Sequence, residues 1–345
     1  MSSRDVLDLL YGVGVPPGEL AWDDAVHGKI SFKGEDIRDF VILRKDRSPL
    51  YNFAVVIDDI DMQISHVIRG DDHISITPKQ LAVYRALGAP LPIFGHVPMI
   101  HGADGKKLSK RHGATAVGDY QDQGILPAAM RNFLALMGWS PGGDREILDE
   151  QEMIRLFTLE GIQKKPAVFD TTKLEWMNGQ YLSARPVEEL VEPVRRQLIQ
   201  MGIQPPSDLT ALINSVKARS RTILHVAEQV AVRLDPARST LDSKGEALIR
   251  KMGASFAGNL ALVLAALAAV SSGEWHADRL LVTLKTLAEA HGLKLGDVMQ
   301  PVRVALTGST VSEPVNELLA VVGRDRSLRR LEDVMRKWRG GGNPA

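Results

Sequence analysis

Residues 62–100 read MQISHVIRGDDHISITPKQLAVYRALGAPLPIFGHVPMI, and this stretch decides the predicted fold. An apolar run precedes a helix that begins at the Thr77-Pro78 pair, and Gly88 ends that helix before a second apolar run at 93–100. Threonine caps helices, proline fits the first helical turn, and glycine follows helix ends. Two strands separated by a helix predict an α/β layer.

The segments on either side extend this pattern. Residues 40–43 (FVIL) and 53–57 (FAVVI) are short runs rich in β-branched side chains, which predict two further buried strands. After residue 118 the apolar spacing becomes helical, and no strand is expected from there to the C-terminus. The predicted helices cover residues 126–138, 148–158, 170–181 with Asp170 as the cap, 187–202, 208–234 and the apolar stretch 260–270, which is expected to be buried.

The composition is that of an ordinary soluble globular protein, with 44% apolar and 24% charged residues and a formal net charge of zero. A chain of 345 residues is expected to form two or three domains. Because the chain is neutral, it can meet a polyanion only through local basic patches. The absence of cysteine excludes disulfides and thiolate zinc sites. We expect a cytoplasmic protein without a signal peptide or a membrane-spanning segment.

A second stretch, GKKLSKRHGAT at residues 105–115, concentrates four cations and the Ser109 hydroxyl between two glycines. Lysines on a glycine-flanked loop can reach a phosphate chain and neutralise the charge that builds on a departing pyrophosphate. The alternative is a solvated basic turn, since short basic loops are common.

Charged residues also follow two of the predicted strands. Ligands of open α/β sheets bind at the carboxyl ends of strands. Arg69 is therefore a candidate to bind a substrate carboxylate through two hydrogen bonds, with Tyr51 as a nearby partner. A structural ion pair of Arg69 with Asp58 or Asp59 is the alternative.

The run Asp71-Asp72-His73 could in principle bind a divalent metal. Adjacent residues of an extended strand point to opposite faces, so three consecutive ligands are geometrically awkward, and no metal site is expected. His96, His101 and His112 lie near the lysine loop without a Ser or Cys nucleophile beside them. Each is interpreted as a packing or solvated histidine.

Basic residues also cluster in the helical part of the sequence. Lys217, Arg219 and Arg221 form one cluster, and residues 324–339 contain seven lysines and arginines. In a neutral chain such patches predict contacts with a phosphate backbone. For the last helix, a solvated face with intrahelical ion pairs is the alternative.

Five collinear blocks of the sequence together resemble bacterial glutamyl-tRNA synthetases, which are class I aminoacyl-tRNA synthetases. The blocks are YNFAVVIDDIDMQISHVIRGDDHISITPKQLAVYRALG, GHVPMIHGADGKKLSKRHGAT, LPAAMRNFLALMGWSP, PAVFDTTKLEWMNGQY and LKLGDVMQPVRVALTGS. The resemblance implies a partial Rossmann-type class I catalytic domain followed by an all-α, helical-cage anticodon-binding domain. It also implies that ATP activates glutamate to glutamyl-adenylate, which is then transferred to the 3′ end of tRNA-Glu.

The same resemblance implies roles for individual residues. Lys107, Ser109 and Lys110 fall in the family's lysine loop, which stabilises pyrophosphate, and Lys110 is the leading catalytic candidate. Tyr51 and Arg69 fall where the family binds glutamate. The positions that line the ATP pocket are Asp72, His73, Met99, Ile100, Leu108 and Lys110. The positions that meet tRNA are Arg303, Ser312 and Val315, to which the basic cluster adds Arg219.

The sequence departs from the family at one motif. No H-x-G-H string occurs in it, although the family begins with a His-Ile-Gly-His-type motif that binds ATP phosphates. We therefore expect a chain that lacks the N-terminal part of the enzyme, including the zinc-binding insert of some members. A smaller departure is Asp71, where many members have glutamate.

The expected domains are the C-terminal half of the catalytic domain at 1–125, a helical stem-contact segment at 126–185 and an all-α anticodon-binding domain at 186–345. The expected partners are tRNA-Glu, glutamate and ATP with its Mg²⁺, without zinc. A monomer is expected, with a separate N-terminal half as the alternative.

Two other functions stay open at this point. One is a non-catalytic tRNA-binding protein derived from the enzyme, which would bind tRNA without turnover. The other is a metal-dependent hydrolase built on the Asp71-Asp72-His73 run.

Overall fold

The computed structural model describes residues 18–37, 40–109 and 116–339. The chain divides into two compact units: unit 1 comprises Met1–Val117 and Ala128–Leu174, and unit 2 comprises Gly118–Pro127 and Glu175–Ala345. The strands of the described residues are β1 (Glu19–Asp24), β2 (Gly28–Lys33), β3 (His66–Gly70), β4 (Ile93–Val97), β5 (Ile100–His101) and β6 (Ala167–Val168). The first helices along the chain are α1 (Tyr51–Asp61), α2 (Thr77–Leu87), α3 (Val117–Asp122), α4 (Pro127–Leu136), α5 (Glu150–Leu156) and α6 (Thr171–Ala184).

The centre of unit 1 is a β–α–β element, as the sequence predicts. Strands β3 and β4 pair in parallel from His66↔Ile93 to Gly70↔Val97, and α2 connects them. Gly88 ends α2 in the left-handed conformation (φ 66°), which a glycine adopts without steric cost. The predicted capping role of Thr77 is wrong: Thr77 is the first helical residue, and its hydroxyl donates to the His73 carbonyl at 3.0 Å.

The hairpin β1–β2 adds a second sheet to unit 1. Its strands pair antiparallel from Glu19↔Lys33 to Asp24↔Gly28, and the backbone N–H of Ala25 donates to the Phe94 carbonyl of β4 at 2.8 Å. The core between these elements contains Trp22, Val56, Leu81, Val83, Tyr84 and Phe94. This packing fixes the hairpin against the β–α–β element, which places Asp24 next to β4.

The strand predicted at residues 53–57 is wrong, because these residues belong to α1. Valine and isoleucine favour strands, but Phe53, Val56 and Ile60 recur at helical spacing and pack in the core beside α2. Tyr84 of α2 donates from its hydroxyl to Asp59 at 3.3 Å. Burial of one helical face therefore outweighed the intrinsic preference of these side chains for strands.

The strand predicted at 40–43 is also absent from the described residues. Leu43 forms only an isolated bridge with Pro49, around a tight turn in which Arg47 has φ 67°. Ile42 is buried while Val41 is 65% exposed. Because only one side chain of this run is buried, the Leu43–Pro49 bridge does not extend into a pair of strands.

Unit 2 is helical, as predicted. Its helices, after the end of α6, are α7 (Glu188–Gln200), α8 (Thr210–Lys217), α9 (Ile223–Leu234), α10 (Ser243–Met252), α11 (Ala254–Ala268), α12 (Ala277–Ala290), α13 (Leu295–Thr307), α14 (Val315–Val322) and α15 (Arg324–Arg339). The predicted helix at 208–234 is two helices, because the Thr222 hydroxyl accepts from the His225 N–H at 3.0 Å and caps a new start. The cap predicted at Asp170 is confirmed by its bond from the Thr172 N–H at 2.8 Å.

One short strand lies beyond residue 118, contrary to the prediction. Strand β6 pairs in parallel with β5, and the Phe169 N–H donates to the His101 carbonyl at 2.8 Å. A strand of two residues is too short to show the alternation of apolar and polar side chains by which strands are recognised in a sequence.

The apolar stretch at 260–270 is a buried helix, as predicted: Leu260, Val263 and Leu267 of α11 are fully buried in the helical core. Within the described ranges no single helix is long and apolar enough to cross a membrane. The pair α10 and α11, bent by 94°, meets the criteria of length and composition together.

Candidate functional site

Arg69 is the centre of the first candidate site, at the carboxyl end of β3. Its Nη2 donates to the Thr77 hydroxyl at 2.8 Å, and its Nε donates to His96 Nε2 at 3.2 Å. The guanidinium carbon lies 5.6 Å from the centre of the Phe94 ring. Burial lowers the pKa of Arg69, while the neighbouring Tyr51 and Asp59 favour its charged form. The predicted alternative, a direct ion pair with Asp58 or Asp59, is not among the described contacts of Arg69.

A buried carboxylate–imidazole pair supports this arginine from behind. Asp24 Oδ2 and His96 Nδ1 are 2.5 Å apart and both side chains are fully buried. Burial alone would raise the pKa of Asp24, but hydrogen bonds from His96, His27 and Val26 outweigh it and lower the pKa to about 2. Burial also lowers the pKa of His96, with the Asp24 hydrogen bond acting the other way. The pair is therefore an aspartate with a neutral histidine at pH 7.

The hydrogen-bond pattern fixes the tautomer of His96. Its Nδ1 donates to Asp24, so Nε2 carries the lone pair that accepts from Arg69. The Thr77 hydroxyl uses its proton on the His73 carbonyl and its lone pair on Arg69. Asp24 therefore orients His96, and His96 orients Arg69. The sequence interpretation of His96 as a packing histidine missed this role, since Asp24 lies 72 residues away along the chain.

Tyr51 and His73 border Arg69 on its open side. The Tyr51 side chain, 54% exposed at the start of α1, lies with its ring 6.4 Å from the His73 ring. The Nδ1 atom of His73 is buried and has no hydrogen-bond partner among the described residues. Because buried polar groups are normally satisfied, this atom is open to a hydrogen bond from a molecule bound beside it.

The lysine loop begins on a hairpin that also contains two of the predicted ATP residues, Ile100 and Leu108. The Leu108 N–H donates to the Ile100 carbonyl at 2.9 Å, and the Gly102 N–H donates to the Lys106 carbonyl at 2.8 Å. Gly105 supplies the left-handed turn with φ 73°. This pairing places Lys107 opposite His101, with β6 on the other side of β5.

Lys107 reaches the segment that follows β3. Its Nζ lies 2.9 Å from Asp72 Oδ2, and Asp72 Oδ1 lies 4.0 Å from His73 Nε2. The hydrogen bond from Lys107 lowers the pKa of Asp72. A Cβ on Gly70 would lie 2.6 Å from Asp72 Oδ1 and 3.2 Å from Met99 Sδ, so a larger residue there would displace the Asp72 side chain from this position.

The structure thus brings most of the predicted substrate residues to one face of unit 1. A continuous series of contacts runs from Arg69 through Tyr51 and His73 to Asp72 and Lys107. Ile100 and Leu108 belong to the same hairpin, Met99 adjoins Gly70, and Ser109 is half-buried at the end of the described loop. Lys110 lies outside the described residues. The described residues contain no group of three His, Asp or Glu side chains placed to hold a metal, so the hydrolase hypothesis gains no support.

A second candidate site lies in unit 2, around the loop between α13 and α14. Arg303 Nε donates to Ser312 Oγ at 2.9 Å, and Arg219 Nη2 lies 3.7 Å from Glu313 Oε2. Three of the four residues predicted to meet tRNA are therefore neighbours. Val315, the fourth, is only 2% exposed and packs in the core, so its side chain is not presented beside the other three, and its role toward tRNA stays a prediction.

The arginines of α15 mostly bind the protein itself. Arg324 and Arg326 donate to backbone carbonyls, Arg330 is 3% exposed, and Arg336 pairs with Glu332. The alternative of a helix face with internal partners is the one the structure supports.

Comparison with known proteins identifies the family to which this chain belongs. Residues 15–176 match the family described as "tRNA synthetases class I (E and Q), catalytic domain", and residues 187–335 match the "Anticodon binding domain" family. Glutamate–tRNA ligase 1 of Syntrophus aciditrophicus is 41% identical over 321 residues, which cover 92% of this chain and 67% of that protein. Glutamate–tRNA ligase of Thermodesulfovibrio yellowstonii is 42% identical over 324 residues, 92% of this chain and 68% of that protein.

A solved structure agrees with these relatives. The crystal structure of a glutamate tRNA ligase from Elizabethkingia meningosepticum, in complex with its amino acid, superposes with a TM-score of 0.81 at 26% identity. The match covers 98% of this chain and 72% of that chain. The predicted fold class, a partial class I catalytic domain followed by a helical anticodon-binding domain, is confirmed. The chain spans about two thirds of the length of the relatives it matches.

Proposed function

This chain belongs to the glutamate–tRNA ligase family, and from that premise we propose how its own residues take part in ligation. The family uses ATP, glutamate and tRNA-Glu. Arg69 and Tyr51 bind a carboxylate of glutamate, and Lys107 with Ser109 and Lys110 binds the phosphates of ATP. When the α-carboxylate of glutamate displaces pyrophosphate from the α-phosphorus, the lysines neutralise the charge that moves onto the leaving group.

One observation carries this proposal: Lys107 is paired with Asp72 in the same series of contacts that contains His73, Tyr51 and Arg69. A lysine that is 61% exposed and held by one exposed carboxylate can exchange that partner for a phosphate at little cost. The unsatisfied Nδ1 of His73 is a donor or acceptor that a bound substrate can use.

Arg69 is preorganised for a carboxylate. Its Nε donates a hydrogen bond to His96 and its Nη2 donates one to Thr77, so the guanidinium plane is fixed before any substrate binds. A guanidinium group that is already fixed loses less conformational entropy on binding a ligand than a freely rotating side chain does.

The experiment is glutamate charging of tRNA with Mg-ATP, comparing Lys107→Ala with Lys106→Ala. Both residues are exposed neighbours on the same hairpin, but adjacent residues of an extended chain point to opposite faces. We expect Lys107→Ala to reduce turnover by roughly 10²-fold, and Lys106→Ala to stay within about twofold of the unaltered chain. Equal losses in both variants would contradict the assignment of Lys107.

A second candidate function is tRNA binding without catalysis. The observation that favours it is that residues 187–335 match the anticodon-binding family and bring Arg219, Arg303 and Ser312 together in unit 2. Unaltered chain that binds tRNA but forms no glutamyl-tRNA under conditions in which a relative is active would support this function instead.

The finer expectations are part of the same proposal. We propose Mg²⁺ as the ion that enters with ATP, a monomer as the working state, the cytoplasm as its location, and domain boundaries near residues 125 and 185. The family relationship supports the ion and the location. Sedimentation velocity at several protein concentrations tests the oligomeric state.

A further inference from the structure

Glu313 is a buried carboxylate in the loop between α13 and α14, with 1% of its side chain exposed. Arg233 of α9 binds it through two parallel hydrogen bonds, from Nε to Oε1 at 2.8 Å and from Nη2 to Oε2 at 2.5 Å. The remaining nitrogen of Arg233 donates to the Gln229 carbonyl at 2.6 Å. Arg233 is therefore fully engaged inside the protein and is not available to a ligand.

Two further arginines depend on the same residue. Arg219 Nη2 lies 3.7 Å from Glu313 Oε2 while 44% of the Arg219 side chain stays exposed. Arg303 donates to the Ser312 hydroxyl, which in turn donates to the backbone carbonyl of Glu313 at 2.7 Å. The Glu313 carboxylate therefore attracts Arg219 across a 3.7 Å ion pair, while Nη2 of Arg219 itself donates to the Ser215 carbonyl. The backbone of Glu313 holds Arg303 through Ser312.

The charges at this place do not cancel. Three guanidinium groups surround one carboxylate, and Arg233 already neutralises that carboxylate. Burial lowers the pKa of Arg303, the charge of Glu313 opposes this shift, and the positive charge of Arg219 adds to it. Two like charges at close range are costly, so an anion that binds both arginines is stabilised.

A small cavity accompanies the arginines. It measures about 130 Å³, and its polar lining is Arg219, Arg233, Ser220, His225, Gln229 and Ser312, with Val216 and Val311 as the apolar part. Cations with hydrogen-bonding side chains beside an apolar wall suit a nucleotide phosphate and its base.

We propose that Glu313 is a positioning residue for tRNA: with Arg233 as its buried counter-ion, it holds Arg219 and, through Ser312, Arg303 in one orientation toward the RNA. This inference rests on the tRNA-binding part of the proposed function. Glu313 does not touch the RNA itself, and it acts through the two arginines.

The first test removes the pair without changing the local net charge. Arg233→Met combined with Glu313→Leu deletes one positive and one negative charge and leaves no unpaired ion in the core, which proteins commonly tolerate. We expect this double variant to keep its circular dichroism but to bind tRNA about tenfold more weakly. The exposed Glu317 of α14 gives the matched control, and Glu317→Gln is expected to bind tRNA as tightly as the unaltered chain or slightly more tightly.

The second test is a double-mutant cycle that does not require the pair to be deleted. Glu313→Asp keeps the charge but shortens its reach by one methylene, and Arg219→Gln removes the outer arginine. If Glu313 acts through Arg219, each variant weakens tRNA binding and the combination is no weaker than the worse single variant. Additive losses overturn the proposal, because they mean that Glu313 acts on binding by another route.

The outcomes separate the two levels of inference. If the unaltered chain binds no tRNA at moderate salt, the tRNA-binding function fails and the role of Glu313 fails with it. If the unaltered chain binds tRNA and Arg233→Met with Glu313→Leu binds it equally well, only the positioning role is refuted. Should that double variant not fold, the cycle with Glu313→Asp decides.

Discussion

Replacement of Asp24 by asparagine is expected to destabilise unit 1 and to disorient Arg69 at the same time. Oδ1 of Asp24 accepts the backbone N–H groups of Val26, His27 and His96, and an asparagine carbonyl can keep all three. Oδ2 accepts from His96 Nδ1, and an amide nitrogen in its place would face that donor. His96 can escape only by moving its proton to Nε2, where it then confronts the Nε–H of Arg69.

The magnitude follows from the pKa of Asp24. A shift from 3.8 to about 2 corresponds to about 2 kcal/mol of stability at neutral pH, and Asp24 is only 4% exposed, so solvent screening is small. The two N–H donors that face each other in the variant add about 1–3 kcal/mol to this loss of stability. Since the folded pKa is lowered, the stability contributed by the Asp24 charge is present above pH 4 and is lost as the pH falls toward 2.

The assay is equilibrium urea unfolding of the unaltered chain, Asp24→Asn and the exposed neighbour Asp23→Asn, at pH 7 and at pH 3. We expect Asp24→Asn to lose about 3–5 kcal/mol at pH 7 and less at pH 3, and Asp23→Asn to change by less than about 0.5 kcal/mol. In charging, Asp24→Asn is expected to raise the KM for glutamate about tenfold. An Asp24→Asn protein with unaltered unfolding at pH 7, or with a pH-independent deficit, would refute the reasoning.

Two further predictions concern exposed charge and backbone geometry. Asp72→Asn is expected to change the free energy of unfolding by less than about 0.5 kcal/mol, since the ion pair of Asp72 with Lys107 is exposed. The same variant is expected to lower the KM for ATP roughly twofold, because Lys107 then binds phosphate without first breaking an ion pair. A raised KM for ATP would contradict this. Gly308→Ala is expected to cost about 3 kcal/mol or more in urea unfolding, because its Cβ would lie 2.0 Å from the Thr240 carbonyl oxygen at φ 76°. Gly292→Ala, with φ 62° and open space, is expected to cost only about 1–2 kcal/mol and serves as the control; equal losses would show that the clash is relieved.

The sequence predicted the parts of the fold that depend on local signals. The Thr77-Pro78 start and the Gly88 end of α2 are such signals, and the strands on either side of this helix form as expected. The strand predicted at 53–57 was wrong because side-chain propensity was weighed without the helical spacing of Phe53, Val56 and Ile60. The strand predicted at 40–43 was wrong because Ile42 is the single buried side chain of that run.

The exposed part of the candidate site was also accessible from the sequence. Arg69 lies at the carboxyl end of a strand, Asp72 and His73 follow that strand, and Lys107 lies in a recognisable loop, so chemistry and position could be inferred together. Val315 shows the limit of this reasoning, since alignment with a family position did not reveal that its side chain is buried.

The residues that the sequence did not reveal share one arrangement. In unit 1 a buried aspartate fixes a histidine that fixes Arg69, and in unit 2 a buried glutamate, paired with Arg233, forms a longer ion pair with Arg219. The partners are 72 and 80 residues apart along the chain, and a single Asp24 or Glu313 carries no local pattern.

Burying a carboxylate is costly unless hydrogen bonds satisfy both of its oxygens, as they do in each pair. That cost is met during folding and not during binding, so an arginine held in this way meets an anionic ligand without first losing its own freedom of rotation. Under the proposed function, the two units solve the same problem, which is to present an arginine to a carboxylate or a phosphate in one fixed orientation. If this is their purpose, substitution of either carboxylate should weaken ligand binding more than substitution of an equally buried apolar neighbour that lowers stability by the same amount.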